Sequence, residues 1–101
     1  MRVKFVGFYE YCAEDTDKCI AKFAEVTAER EKKTGKFPNL IFGPFTLAGE
    51  KGYLSGFAGY ETDDQGQLDN LTAFYIPEMM FKFTPIEDQS KMIELYMKMK
   101  K

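Results

Sequence analysis

Large apolar side chains occur on both faces of three of the four predicted strands, and this pattern constrains the fold more than any other sequence feature. Residues 2–11 alternate with the period of 2 typical of a strand, yet Phe5 and Tyr9 point one way while Phe8 points the other. Residues 40–45 and 53–60 repeat the pattern. An antiparallel sheet with one wet face would alternate apolar with polar residues. Both faces of this sheet are therefore predicted to be covered.

Seven elements are predicted along the chain, in the order β-α-β-β-α-β-α. Strands are expected over residues 2–11, 39–49, 53–62 and 79–85, and helices over 16–34, roughly 64–75 and 86–101. Gly35 is expected to end the first helix, Pro77 the second, and residues 50–52 form a turn. The first helix has an apolar stripe at helical spacing, with Cys19 and Val26 beside it: Ile20, Phe23, Ala24 and Thr27.

The first six elements match the split βαβ arrangement of a ferredoxin-like fold. We therefore expect an α+β protein, a single domain over residues 1–101, with a βαββαβ core and an extra C-terminal helix. The first and third strands would be central, and the first two helices would lie on one face. A second copy would cover the other face, sheet against sheet, and form a homodimeric α/β barrel. The monomeric alternative is that the third helix covers this face.

A cluster of carboxylates follows the third strand, in the segment ETDD at residues 61–64. Its spacing differs from that of a calcium-binding loop. Thr62 or Asp63 lies where the N-cap of the second helix is expected, and Asp63 and Asp64 would face the positive end of that helix. The pattern indicates helix capping, not a metal site. Asp15 or Thr16 is the expected cap of the first helix, and Asp88 caps the third.

The segment GYETDD, the short helix and the strand EMMFKFTPI together resemble the second half of a family of small bacterial and archaeal proteins that has no established activity. The matching residues are Glu61, Thr62, Asp63, Asp64, Phe81, Phe83, Pro85 and Ile86. The resemblance covers residues 59–86 only. It implies membership of the dimeric α/β-barrel superfamily, in which two ferredoxin-like sheets form one barrel. That superfamily includes cofactor-free monooxygenases, haem-degrading enzymes, isomerases and ligand sensors, so it implies no particular reaction.

Several functional classes are excluded by composition. The chain has no histidine, which removes Ser-His-Asp and Cys-His catalysis and every histidine-ligated metal or haem site. A net charge of −2 argues against a nucleic-acid partner. No segment has the roughly 20 apolar residues that span a bilayer, and the N-terminus reads as a strand, so a cytoplasmic protein without membrane contact is expected.

The two cysteines, Cys12 and Cys19, match neither a C-x-x-C nor a zinc pattern. They are interpreted as small buried apolar residues, although the second lies where a helix dipole would favour a redox-active thiolate. We expect no disulfide, metal or cofactor.

A candidate ligand pocket is predicted where the first and fourth strands lie side by side. Their even-numbered residues combine apolar walls with polar ends, as binding pockets do. Lys4 and Lys82 could hold an anionic or phenolic ligand, and Tyr60 could act as a donor or acid. The alternative is that both lysines extend into water. The candidate pocket residues are Lys4, Phe8, Glu10, Tyr60 and Lys82.

Three functions are consistent with these patterns. The first is a homodimeric barrel that binds a small molecule. The second is a cofactor-free monooxygenase or isomerase acting on a phenolic or other acidic substrate, with Lys4, Glu10, Tyr60 and Lys82 as the residues to test. The third is a structural or interaction module with a filled interior. The pattern assigns no catalytic residue.

Overall fold

The computed structural model describes residues 2–47 and 52–100. A short 3-10 helix, Ala13–Asp15, joins the first strand to the first helix. The elements are β1 (Val3–Cys12), α1 (Thr16–Glu31), β2 (Asn39–Leu47), β3 (Tyr53–Thr62), α2 (Gln65–Tyr75), β4 (Met79–Ile86) and α3 (Gln89–Met99). The four strands and three helices confirm the predicted α+β class. The turn predicted at residues 50–52 lies largely outside the described residues.

The four strands form one sheet in the order β2-β3-β1-β4, and every neighbouring pair is antiparallel. Gly7 of β1 lies opposite Ala58 on one side and Phe83 on the other. The pairing of β2 with β3 is irregular, with register shifts between Leu40 and Phe42 and between Phe42 and Phe45. Pro44 lies inside the second shift, where the missing N–H costs no ladder hydrogen bond.

One face of the sheet packs against α1 and α2 and is called the covered face below. Leu71 and Tyr75 of α2 and Val26 of α1 are buried against Ala58 and Tyr60 of β3. Aromatic rings of β1 and β4 complete this core: Tyr9, Tyr11, Phe81 and Phe83. Burial of such side chains contributes roughly 1.5–3 kcal/mol each, so the covered face is the main source of stability within one chain.

The buried side of α1 differs from the predicted stripe. Cys19 and Val26 are buried, whereas Ile20 is 61% exposed and Phe23 is 42% exposed. The helix is thus rotated so that the residues expected beside the stripe face the sheet. Part of the apolar surface of α1 consequently remains in contact with solvent.

The helix ends show how local hydrogen bonds set the element boundaries. Asp64, not Thr62 or Asp63, is the N-cap of α2, and its Oδ1 accepts a 2.8 Å hydrogen bond from the Gly66 N–H. Asp88 caps α3 as predicted, accepting from the Ser90 N–H at 3.0 Å. Asp15 holds the N-cap position of α1 without a side-chain capping bond.

The C-terminal end of α1 comes earlier than predicted, at Glu31. The chain reverses over two left-handed residues, Lys33 with φ of 57° and Gly35 with φ of 75°. A glycine adopts this conformation without steric cost, but a lysine does not. The sequence rule placed the stop at the glycine and missed the turn that begins before it.

Helix α3, unlike the other two helices, has no buried residue. Every one of its residues is exposed, although Met92, Leu95, Tyr96 and Met99 form an apolar stripe. The radius of gyration is 16.0 Å, against about 13 Å expected for a compact domain of this size. A helix of this length is marginal in water unless its apolar side is buried. Within the described part of the chain, no other element buries the apolar side of α3.

Candidate functional site

The face of the sheet turned away from α1 and α2 is called the open face below. It carries the even-numbered residues of β1 and β4 and the odd-numbered residues of β3. Its apolar side chains are unusually accessible. The exposed fraction is 43% for Phe8, 37% for Phe42, 52% for Phe45, 38% for Leu47 and 63% for Met80.

Four phenylalanines form an aromatic cluster on one half of the open face. The ring of Phe57 lies 6.1 Å from Phe8, 6.3 Å from Phe42 and 5.4 Å from Phe45, measured between centroids. Phe42 also lies directly over Gly59, where an added Cβ would come within 2.1 Å of the ring. Glycine at position 59 therefore allows the ring to lie flat on the sheet.

A groove of about 370 Å³ lies beside this cluster and is called the open-face groove. Its apolar walls come from Phe8, Leu47 and Met80, and its polar groups are Glu10, Ser55 and Lys82. Strand register explains the juxtaposition, because Phe8 lies opposite Lys82, and Glu10 lies opposite both Met80 and Ser55. Apolar walls with a few polar groups are typical of small-molecule sites.

The structure brings three of the five candidate pocket residues together: Phe8, Glu10 and Lys82 all line the open-face groove. Lys4 belongs to the same face but lies near its other end, opposite Ile86 and Glu61. Tyr60 lies on the covered face, only 6% exposed, with its ring packed against Phe83. It is therefore separated by the sheet from the other four candidates.

Burial raises the pKa of Tyr60 to about 12, although the nearby Arg30 cation partly opposes this effect. The phenol is thus protonated near neutral pH. Burial also raises the pKa of Tyr75 and of Tyr9. These three phenols line a cavity of about 150 Å³ between α1 and the covered face. Its chemistry is that of neutral hydroxyl groups in an apolar space.

The ETDD segment performs structural tasks. Glu61 pairs with Arg2 at 3.3 Å, and Asp64 caps α2. The hydroxyl of Thr62 accepts a 3.0 Å hydrogen bond from the Asp64 N–H. Among the described residues, the three side chains close enough to share a metal ion lie elsewhere, at the end of β1: Cys12, Glu14 and Asp15. Exposed acidic groups of this kind are common without a bound ion, and the cluster carries no assignment.

Both cysteines are free thiols. Cys19 is buried in the core, and burial, together with the negative charges of Asp15 and Glu78, raises its pKa. A raised pKa disfavours the thiolate that redox chemistry requires. The placement of Cys19 agrees with the apolar role expected from the sequence.

The sequence did not identify Leu47 or Ser55 as groove residues. Their position depends on how β2 and β3 pair, and the two register shifts in β2 determine that pairing. The alternation of β3 is visible in the sequence and could have assigned Ser55 to the face of Phe57. No local sequence pattern predicts that Leu47 also lines the groove, opposite Ser55.

No protein-family model, no curated protein and no solved structure matches this chain. Across residues 2–47 and 52–100, none of the helices combines the length and the apolar character needed to cross a membrane.

Proposed function

We propose that this chain forms a homodimer whose two open faces enclose a binding site for a small molecule. The strand order, with α1 and α2 on one face, is that expected of a ferredoxin-like βαββαβ unit. Two such units placed sheet to sheet would make a dimeric α/β barrel. The resemblance of residues 59–86 to proteins of that superfamily points the same way.

The exposed aromatic cluster is the observation that carries the proposal. A phenylalanine ring buries about 150–250 Å² when fully covered. At exposed fractions of 43%, 37% and 52%, the rings of Phe8, Phe42 and Phe45 leave on the order of 250 Å² in water. Leu47 and Met80 extend this patch. The whole patch is therefore comparable in size to the largest apolar patch on a typical monomer, about 300–600 Å², and patches of this size are often functional.

A second copy is the occupant that fits this surface, because an isologous contact pairs the same patch with itself. Helix α3 strengthens the argument, since the chain exposes two apolar surfaces and a dimer offers cover for both. The competing monomer would need α3 to fold back over its own open face. In the structure α3 leaves that face uncovered.

The open-face groove indicates which kind of ligand the dimer would take. Phe8, Leu47 and Met80 would contact an apolar body, and the Lys82 ammonium would hold an anionic or phenolic group. Glu10 would accept a hydrogen bond from a hydroxyl. The alternative function is that of a cofactor-free monooxygenase or isomerase. Its reaction would use Glu10 and Lys82, because both line the groove. Tyr60 lies on the opposite face of the sheet.

Native mass spectrometry of protein purified gently from its own cells tests the proposal directly. The expected result is a mass of two chains with a reproducible small adduct. Phe45→Glu should shift the population to monomer and weaken dimerisation by more than about 100-fold, because two charges would be buried against aromatic rings. Ala21→Glu on the exposed side of α1 makes the same change of one negative charge per chain and should leave the dimer intact.

A second variant separates ligand binding from assembly. Lys82→Met should remove the adduct and preserve the dimer, and Lys98→Met on α3 should keep both. A wild-type monomer at micromolar concentration would refute the dimer. A dimer that never carries an adduct would instead support the interaction module.

A further inference from the structure

A third cavity, of about 220 Å³, lies at the end of the sheet where α1 leads into β2 and β3 leads into α2. It is called the cationic cavity below. Four cationic side chains line it, and only two carboxylates, Glu29 and Asp63, face them. The cations are Arg2, Arg30, Lys33 and Lys36. This local excess of positive charge contrasts with the net charge of −2 of the whole chain.

Three of the four cations of this cavity have no carboxylate partner in the described part of the chain. Within residues 2–47 and 52–100 the ion pairs are Arg2 with Glu61 and Lys22 with Glu78. Arg30, Lys33 and Lys36 therefore have no carboxylate in contact in the described part of the chain. Like charges held near one another without counter-charges repel, and a bound anion would relieve that repulsion.

The dipole of α1 explains only part of this arrangement. A lysine near the C-terminal end of a helix is favoured by the helix dipole, which accounts for Lys33. Arg2 comes from the chain before β1, and Lys36 comes from the loop after the helix. The fold has brought cations from separate segments to the same cavity, which a helix end alone does not require.

The wall of the cavity is held rigidly by three side chains from α1 and α2. Gln67 Nε2 donates to the Gly35 carbonyl at 2.8 Å, and Asn70 Nδ2 donates to the Lys36 carbonyl at 2.9 Å. Arg30 Nε donates to the Pro38 carbonyl at 2.9 Å. The ring of Phe37 between them is 5% exposed. A wall fixed in this way loses little conformational entropy when a ligand binds.

Arg30 is the most constrained cation of the four. Its Nε bond to Pro38 fixes the plane of the guanidinium, which lies 5.7 Å from the centroid of the Tyr60 ring. Burial lowers its pKa, but an arginine remains charged at any physiological pH. Pro38 takes the Nε–H and the Tyr60 hydroxyl lies beside the guanidinium, so an anion would meet the terminal N–H donors that remain.

We propose that the cationic cavity binds a small phosphorylated polyol. The phosphate would lie among Arg30, Lys33 and Lys36, and the hydroxyl groups would donate to Glu29 and Asp63. The cavity, at about 220 Å³, is larger than a single phosphate group and leaves room for a short carbon chain. This site is separate from the open-face groove and does not depend on the dimer.

The test is a titration of the full-length protein followed by amide NMR shifts and by calorimetry, at constant ionic strength. The probes are glycerol 3-phosphate, inorganic phosphate and glycerol. Glycerol 3-phosphate should bind with millimolar or better affinity and shift amides of residues 30–37 and 62–67. Inorganic phosphate should bind more weakly, and glycerol should not bind.

Matched double variants decide between a built site and general charge attraction. Lys33→Ala with Lys36→Ala should weaken binding by more than about tenfold. Lys18→Ala with Lys98→Ala removes the same charge elsewhere and should change affinity less than about twofold. Equal loss in both, shifts confined to other residues, or no binding at about 10 mM would overturn the site. Equal affinity for inorganic phosphate would overturn the assignment to a polyol.

Discussion

The covered and open faces of the sheet are built from the same strands and similar aromatic residues, yet they differ in burial. On β3, Ala58 and Tyr60 of the covered face are 0% and 6% exposed. On the open face, Phe45 of the neighbouring strand is 52% exposed. The difference arises from what lies above each face. Two helices complete one core within the chain, whereas the apolar side chains of the other face are exposed, and we propose that a second copy covers them.

The largest expected difference between the faces is in the free energy of unfolding. Leu71 of α2 is 1% exposed, so Leu71→Ala should cost about 2–5 kcal/mol through lost burial and a residual cavity. Phe45→Ala should cost less than about 1 kcal/mol when the protein is dilute enough to be monomeric. Urea unfolding measures both changes. Equal costs in dilute protein would show that the open face is already covered within one chain.

A smaller difference in the free energy of unfolding is expected between alanine substitutions at two glycines, Gly7 on the covered face and Gly59 on the open face. A Cβ on Gly7 would lie 2.8 Å from the rings of Phe83 and Tyr60, which are confined beneath the helices. Gly7→Ala should therefore cost about 1–3 kcal/mol. A Cβ on Gly59 would lie closer still to Phe42, at 2.1 Å, but this exposed ring can swing aside. Gly59→Ala should cost the dilute chain less than about 1 kcal/mol.

Thermal or urea unfolding of the two alanine variants checks this order. Gly59→Ala should also weaken dimerisation, because the displaced Phe42 ring alters the surface presented to the second copy. A larger stability loss at position 59 than at position 7 would contradict the view that the open-face rings are free to move.

The last expected difference between the faces is a pH dependence that belongs to the covered face. The pKa of Tyr60 is raised to about 12 in the folded chain from an ordinary value of 10.0. The folded state therefore holds this proton more tightly than the unfolded state does. The resulting stability is complete below pH 10 and is lost between about pH 10 and 12, at up to about 1.4 kcal/mol per pH unit.

Unfolding free energies measured at pH 8, 10 and 11 would reveal this loss. Tyr60→Phe should reduce the slope, whereas Tyr53→Phe on the open face keeps Tyr60 and should retain it. A slope unaffected by removal of the Tyr60 hydroxyl would show that other groups control alkaline stability.

Much of the fold could be predicted because strands and helices follow local periodicity. Strand β3 lies over the predicted residues, and α2 begins one residue later than expected. The end of α1 was misplaced because Lys33 adopts a left-handed conformation that sequence rules reserve for glycine. The buried side of α1 was also missed, since helix rotation is determined by packing against α2 and the sheet.

The candidate site could be predicted only in part, for a related reason. Alternation along β1 and β4 places Phe8, Glu10 and Lys82 on one face. Alternation also divides β3 into two sets, but only the register with β1 reveals that Tyr60 belongs to the opposite face. The cationic cavity joins Arg2, Lys36 and Asp63, which are distant in sequence, so no local pattern could have indicated it.

The edges of the sheet limit how large an assembly this chain can form. An added strand needs a straight row of unpaired N–H and C=O groups. Strand β2 interrupts that row with two register shifts and Pro44, and β4 presents Lys82 and Pro85 at the opposite edge. Such interruptions resist edge-to-edge growth into fibres. The association that we propose, through the open face, would close at two copies, so concentrated protein should remain as discrete particles rather than extended aggregates.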